Sequence, residues 1–179
     1  MAQAKRKKKF YNVEMPLIKK TTQLQAYELK DLNNRFIKYD LTRIFKDKSM
    51  IITLKTKVDG DEVSTVPKEL RILPYYLRRM MRRGTNYVED SFSTDTKNAQ
   101  VRIKPFLVTR RKVSRAVRKA LRNKAKEEFV AWAKELSIEE LFEETLKGKF
   151  QKELSIKLKK IYPLSLCEIR VLKVEKELN

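Results

Sequence analysis

Residues 101–126 read VRIKPFLVTRRKVSRAVRKALRNKAK, and the change of period inside this stretch decides the fold. Its first part alternates. Val101, Ile103, Pro105 and Leu107 fall on one face and Arg102, Lys104, Phe106 and Val108 on the other, which predicts a strand over residues 99–109. Pro105 cannot donate a ladder hydrogen bond, so it marks an edge strand or a bulge. Arg102 and Lys104 beside Phe106 would form a basic and aromatic face, which suits RNA backbone and base stacking as well as it suits an ordinary solvated strand. From Arg110 the period becomes helical. Nine basic residues and no acidic one occupy positions 110–126. Arg111, Arg115, Arg118 and Arg122 recur at steps of four, three and four, so they stack along one face, with Arg110, Lys112 and Lys119 in the same segment. Val113, Val117, Ala120 and Leu121 form an apolar stripe that continues through Phe129, Trp132 and Leu136. Such a helix docks on protein through one side and offers arginines from the other. The planar guanidinium fork matches phosphate oxygens, and a solvated helix face normally mixes charges where this one does not.

Upstream the chain is mostly extended. Residues 1–9, MAQAKRKKK, carry five cations in a row, Lys5, Arg6, Lys7, Lys8 and Lys9. A block of this kind grips nucleic acid, or else serves as a solvated tail or localisation signal. The expected organisation is a flexible basic tail over 1–9 and one α+β domain over 10–179. That domain is strand-rich over 10–109, mainly helical over 110–161, and closed by a strand over 164–174. Pro16 blocks a helix, and alternating runs at 23–29, 35–41 and 50–58 predict strands. Asp59-Gly60-Asp61 turns the chain back into Val63–Val66 as a hairpin. A further strand is expected over 87–95. Pro74 suits a first helical turn, and YYLRRMMRR follows it to a stop at Gly84. Tyr76, Leu77, Met80 and Met81 would be its apolar stripe. Arg78, Arg79, Arg82 and Arg83 would share the other side and repel one another without anions nearby.

Downstream the charge reverses. Residues 127–144 hold seven glutamates against the single Lys134. Ser137 and Glu140 make a capping box for a helix SIEELFEETL that ends near Gly148. Glu139, Glu140, Glu143 and Glu144 share one face, where a metal or acid–base role is conceivable. A solvated face, or one that meets a basic neighbour, is the simpler reading. A further helix over 150–161 is basic at Lys157, Lys159 and Lys160. Tyr162-Pro163 ends it ahead of the last strand. Strands first, then helices, then a returning strand predict an α+β fold: an antiparallel, barrel-like sheet with flanking helices and a basic tail.

Composition narrows the chemistry. Lys and Arg total 43 against 23 Asp and Glu, a formal charge of +20, which is tolerable when phosphate is the standing counterion. No apolar run approaches the length that spans a bilayer, so no membrane partner is expected. There is no histidine, which removes imidazole catalysis and imidazole metal ligation. The one cysteine, Cys167, lies in an apolar stretch and reads as a small buried residue in a reducing, intracellular compartment. Three scattered glycines build no phosphate loop. No catalytic residue, metal or cofactor is expected. Two other classes compete with an architectural role. One is a stand-alone nucleic-acid-binding regulator whose basic helix enters a groove. The other is an RNA-processing enzyme built on carboxylates and a metal, against which Asp40, Asp59, Asp61, Asp90 and Asp95 read as turn and strand-end residues.

Four stretches give the chain a family likeness. They are Lys9-Phe10-Tyr11-Asn12-Val13 with Pro16, Arg35-Phe36 to Asp40-Leu41, Arg102-Ile103 through Phe106 to Lys112, and Lys160-Ile161-Tyr162-Pro163-Leu164 followed by Ile169 to Lys173. In this order and spacing they resemble the archaeal and eukaryotic small-subunit ribosomal protein family S-three-Ae, also called eukaryotic-type S-one. The resemblance implies a barrel-like β-domain with packed helices on the platform of the small subunit, in the cytoplasm. It further implies binding of ribosomal RNA near the messenger exit. The partners it implies are small-subunit ribosomal RNA, neighbouring small-subunit ribosomal proteins and messenger RNA near its exit, with no second copy of the chain. It supplies no catalytic residue. The chain departs from the family at Thr21–Lys30, which is short and lacks a Gly-Lys-Thr-like stretch, and at Asn34, where a glycine is expected. Its end at Asn179, without the extension of longer relatives, points to an archaeal-type member.

Overall fold

A computed structural model describes residues 7–45 and 48–177. The organising element is the hairpin of β4 (Met50–Asp59) and β5 (Glu62–Ile72). Its two-residue loop begins with Gly60 at φ +64°, a conformation that glycine enters without a Cβ penalty. Along β4, Met50, Ile52, Leu54 and Thr56 are buried alternately, as the period-two pattern requires.

Around this hairpin a seven-stranded antiparallel sheet assembles from β3 (Phe36–Asp40), β6 (Tyr87–Glu89), β7 (Phe92–Asp95), β8 (Ala99–Thr109) and β9 (Leu164–Glu177). The order is β3-β4-β5-β9-β8-β6, and β7 also pairs with β8. Thus β9, the last strand in sequence, lies mid-sheet and joins the N-terminal strands to the rest through Glu69↔Lys173, Leu70↔Leu172 and Arg71↔Val171. The α+β class stands, but the barrel does not close: β3 and β6 are the outer strands and do not pair with each other. A separate ribbon of β1 (Lys9–Met15) and β2 (Lys20–Ala26) lies over β5, where the Thr65 hydroxyl donates to the Glu14 carbonyl at 3.0 Å. Val13, Ala26, Leu32 and Val63 form a small core beneath it.

Among the described residues four α-helices complete the fold: α1 (Pro74–Met80), α2 (Arg115–Glu135), α3 (Ile138–Lys147) and α4 (Lys149–Leu158). Leu121, Ala125, Phe129 and Ala133 of α2 are buried at four-residue steps in the main core, to which Leu141 and Phe142 of α3 and Phe150 and Leu154 of α4 also belong. Ala120, expected on this stripe, is exposed. The Trp132 and Phe150 rings stack at 4.0 Å, and the Trp132 indole N–H donates to Glu144 at 2.7 Å. The capping box at Ser137 is formed, with Glu140 reaching back to the Ser137 amide at 2.9 Å.

The structure departs from the sequence reading in four places that bear on the site. Pro105 lies in an interior strand rather than at an edge, since β8 has β9 on one side and β6 and β7 on the other, and it stands beside a bulge whose extra residue is Arg170 of β9. The register shifts from Lys104↔Val171 to Pro105↔Ile169, which leaves Arg170 unpaired on β9 while β8 continues without an insertion. Phe106 is buried because every residue from Pro105 to Thr109 is buried and both faces of this end of β8 are covered, so no exposed basic and aromatic face forms with Arg102 and Lys104. The basic helix begins at Arg115, not Arg110, since the Ser114 hydroxyl takes the N-cap position by accepting from the Val117 amide. Helix α1 stops at Met80, which leaves Arg82 and Arg83 in the following turn. The strand expected over 87–95 is split into β6 and β7 at Asp90-Ser91, where the Asp90 carboxylate accepts from the Ser91 amide. No described helix is long and apolar enough to cross a membrane.

Candidate nucleic-acid interface

Asn86 is the hub that assembles the site. Its carbonyl accepts from the Thr109 amide at 2.9 Å, and its side-chain oxygen accepts from the Val113 amide at 2.8 Å. The Thr109 hydroxyl receives the Asn86 amide at 3.0 Å and donates to the Arg111 carbonyl at 2.7 Å. These bonds lash the 110–113 loop to the start of β6 and so set the N-terminus of α2 beside Tyr87. The Arg110 amide also donates to the Pro163 carbonyl at 3.4 Å, which brings the chain after α4, following Lys159 and Lys160, to the same loop. Arg82 and Arg83 enter from the other direction, in the turn that the Thr85 hydroxyl closes onto the Arg82 carbonyl at 2.7 Å.

Between α2 and β6 lies a groove of about 430 Å³. Arg115, Arg118, Lys119 and Arg122 line one wall and Tyr87 and Val88 the other. Arg111, expected to stack with these arginines, is off the helix and exposed in the loop, as are Arg110 and Lys112. No carboxylate among the described residues pairs with Arg110, Arg111, Lys112, Arg115, Arg118, Lys119 or Arg122. The Arg118 Nε is buried and has no hydrogen-bond acceptor among the described residues, an omission that costs roughly 1–3 kcal/mol when nothing compensates.

Other predicted cations lie away from the groove, some of them paired. Arg102 binds Glu175 at 2.7 Å, and Lys157 binds Glu128 at 2.6 Å. Lys104 lines a separate cavity with Arg71, Glu89 and Arg170, where Arg170 binds Glu89 at 3.0 Å. Arg78 and Arg79 end α1, and the Arg79 guanidinium lies 5.5 Å from the Tyr76 ring centre. Lys7, Lys8 and Lys9 are exposed at the start of the β1–β2 ribbon, with the Lys8 ammonium 5.5 Å from the Tyr27 ring. Lys5 and Arg6 lie outside the described residues.

The acidic segment is largely occupied with structure. Glu140 caps α3, Glu143 binds Lys147 at 2.9 Å, and Glu144 holds the indole of Trp132. Among the described residues no group of three or more acidic or thiol side chains is arranged to hold a metal ion. Cys167 is buried in β9, and burial pushes its thiol up to about 12, far from the range of a nucleophile.

Sequence reasoning singles out the arginines of α2 as candidates but not Tyr87 and Asn86, which the fold brings beside them. Tyr87 reads in sequence as one more strand aromatic, and nothing local distinguishes a buried ring from one that is 55% exposed at a groove. Asn86 follows Gly84-Thr85 and reads as turn chemistry.

Comparison with known proteins locates the chain among relatives. The model of the Ribosomal S3Ae family matches residues 2–177. A small ribosomal subunit protein eS1 of Methanothermobacter thermautotrophicus is 28% identical over 172 residues, covering 92% of this chain and 88% of the relative. The protein of the same name from Pyrobaculum neutrophilum is 31% identical over 175 residues, covering 93% and 79%. That from Nanoarchaeum equitans is 33% identical over 116 residues, covering 64% of this chain and 59% of the relative.

Proposed function

The chain belongs to the Ribosomal S3Ae family, and from that premise we propose that it binds ribosomal RNA of the small subunit through the first half of α2 and the loops tied to it. Its role is structural, on the cytoplasmic ribosome, and not enzymatic. The observation that carries the RNA-binding reading is the set of unpaired cations around the groove. Elsewhere in the described chain some cations, such as Lys124, Lys147, Lys157 and Arg170, find carboxylates, and others, such as Lys104 and Lys149, do not. What marks the groove is that the cations from Arg110 to Arg122 lie together, all without a carboxylate partner among the described residues, on a loop and the helix that follows it.

Electrostatics make this arrangement costly for the free protein. The first turn of α2 carries Arg115 and no acidic residue, with Arg118 and Lys119 just beyond. The N-terminal end of a helix has the positive end of its dipole, where each cation is unfavourable by about 0.3–1 kcal/mol. A phosphate lying against Arg115, Arg118 and Arg122 reverses the sign of that term and gives the forked guanidinium groups their acceptors. The cations also come from separate segments, the 82–83 turn, the 110–112 loop and α2, which suits a protein packed among several RNA strands. A groove-reading regulator would concentrate them on one element.

The finer placement we propose is the platform of the small subunit near the messenger exit, as the family resemblance implies. There the chain acts as one copy among neighbouring ribosomal proteins. The exposed acids Glu139 and Glu140 of α3 lie on a face suited to a basic neighbour. The test is a triple replacement, Arg115→Gln with Arg118→Gln and Arg122→Gln, in binding assays with small-subunit ribosomal RNA. The expected result is weaker binding, a salt dependence of log K shallower by about two to three units, and an unchanged circular dichroism spectrum. Loss of the fold in this variant would make the face structural and end the assignment.

A further inference from the structure

We propose that the groove between α2 and β6 holds a single unpaired nucleotide, its base stacked on Tyr87 and its flanking phosphates on Arg115, Arg118 and Arg122. The inference rests on the RNA-binding reading above and specifies which form of RNA the groove takes.

The Tyr87 ring is the starting point. It is 55% exposed, yet it is not a loose surface side chain. It is parallel to the Phe106 ring within 18°, at a centroid distance of 6.1 Å, and Phe106 is only 2% exposed. The neighbouring Val88 is buried, and the ladder pairs Tyr87↔Val108 and Val88↔Leu107 hold β6 against β8. A ring anchored to the core with its remaining surface open has little entropy left to lose when something stacks on it. Such aromatic platforms are how proteins take bases that have left their helical stack.

The opposite wall supplies the rest of a nucleotide's requirements. Arg115, Arg118 and Arg122 recur along α2 at three- and four-residue steps, so they follow one line beside the ring. The Arg118 guanidinium has no carboxylate or other acceptor among the described residues and lines the groove, where a phosphate or a base edge would supply one. A volume of about 430 Å³ lies within the range of small-ligand sites and suits one nucleotide rather than a duplex. A paired base presents its faces to its neighbours in the stack, so only a bulged, looped or terminal base can lie on Tyr87.

The experiment uses the full chain and two RNA hairpins of equal length, one fully paired and one with a single-nucleotide bulge. Wild-type protein is expected to prefer the bulged hairpin by roughly 5- to 100-fold, the range of one aromatic stack. Tyr87→Phe should keep that preference. Tyr87→Leu should weaken binding of the bulged hairpin more than of the paired one, so that the preference disappears. A 2-aminopurine placed at the bulge should lose fluorescence on binding wild type, a readout that needs no variant to fold. Equal affinity of wild type for the two hairpins, or unquenched 2-aminopurine in the bound complex, overturns the stacking site and leaves general RNA binding standing. Failure of wild type to bind either hairpin, or ribosomal RNA itself, sinks the RNA-binding reading as well.

Discussion

Single residues show how backbone geometry and pairing decide what a side chain means. Asn34 occupies the position where the family resemblance leads one to expect glycine, and it has φ +61°. The left-handed conformation is needed because the chain folds back there: the Asn34 amide donates to the Thr56 carbonyl, and the Thr56 hydroxyl in turn bonds the Leu32 carbonyl. Asparagine tolerates this region better than other non-glycine residues, so the departure from the family pattern keeps the same turn. Asn34→Ala is therefore expected to cost about 1 kcal/mol in urea denaturation, while Asn34→Gly stays within a few tenths of wild type. A destabilised glycine variant would show that the side chain, not the backbone, holds the turn. Arg102 and Arg118 make the complementary case. Both read as cations on periodic elements, but one meets Glu175 at 2.7 Å and the other meets no carboxylate among the described residues. Their difference depends on residues far away in sequence, so no local pattern contains it.

At the scale of elements, α2 is two helices in function and one in structure. Its first half offers cations to a groove, and its second half is clamped to α4. The clamp is Glu128, whose carboxylate receives Lys157 at 2.6 Å and Lys124 at 3.3 Å. The hydrogen bond from Lys157 is the main reason that its carboxyl titrates below the ordinary glutamate value, and Lys124 adds to it. A carboxylate with a depressed folded-state pKa stabilises the fold above its unfolded value and loses that contribution as pH falls through the folded one. Glu128→Gln is thus expected to be less stable than wild type near neutral pH, by on the order of 0.5–1 kcal/mol for a bridge at the solvent edge. The two proteins should converge in thermal melts once the pH has fallen below the lowered folded-state value, where the carboxyl is protonated in both states. A stability gap that persists unchanged into acid would mean that packing, not charge, is what the substitution removes. Element boundaries were less legible than element types. The sequence reading extended α2 back to Arg110 because charge and period run on without interruption, whereas Ser114 ends the helix by capping it and Asn86 recruits the residues before it.

At the scale of the whole molecule, the fold sorts charge. Unpaired cations gather where three chain segments meet near Asn86, while the acids of α3 cap, clamp or face outward. A protein arranged in this way should travel with its RNA. In density-gradient sedimentation of a lysate, the chain is expected to comigrate stoichiometrically with small subunits and to survive a moderate salt wash. Recovery only from light or DNA-bound fractions would favour the regulator instead. The sequence by itself determined the α+β class, the strand and helix order, the capped start of α3, the inert Cys167 and the arginine line on α2, because each follows from local period, local chemistry or composition. Only the tertiary structure decided that the sheet stays open, that both faces of β8 are covered from Pro105 to Thr109 so that Phe106 is buried, which cations remain unpaired, and that Tyr87 faces Arg118 across a groove. Those outcomes are set by pairing between residues distant in the chain, through β9 between the two halves of the sheet and Asn86 between two loops, and such contacts leave no periodic trace in the segments they join.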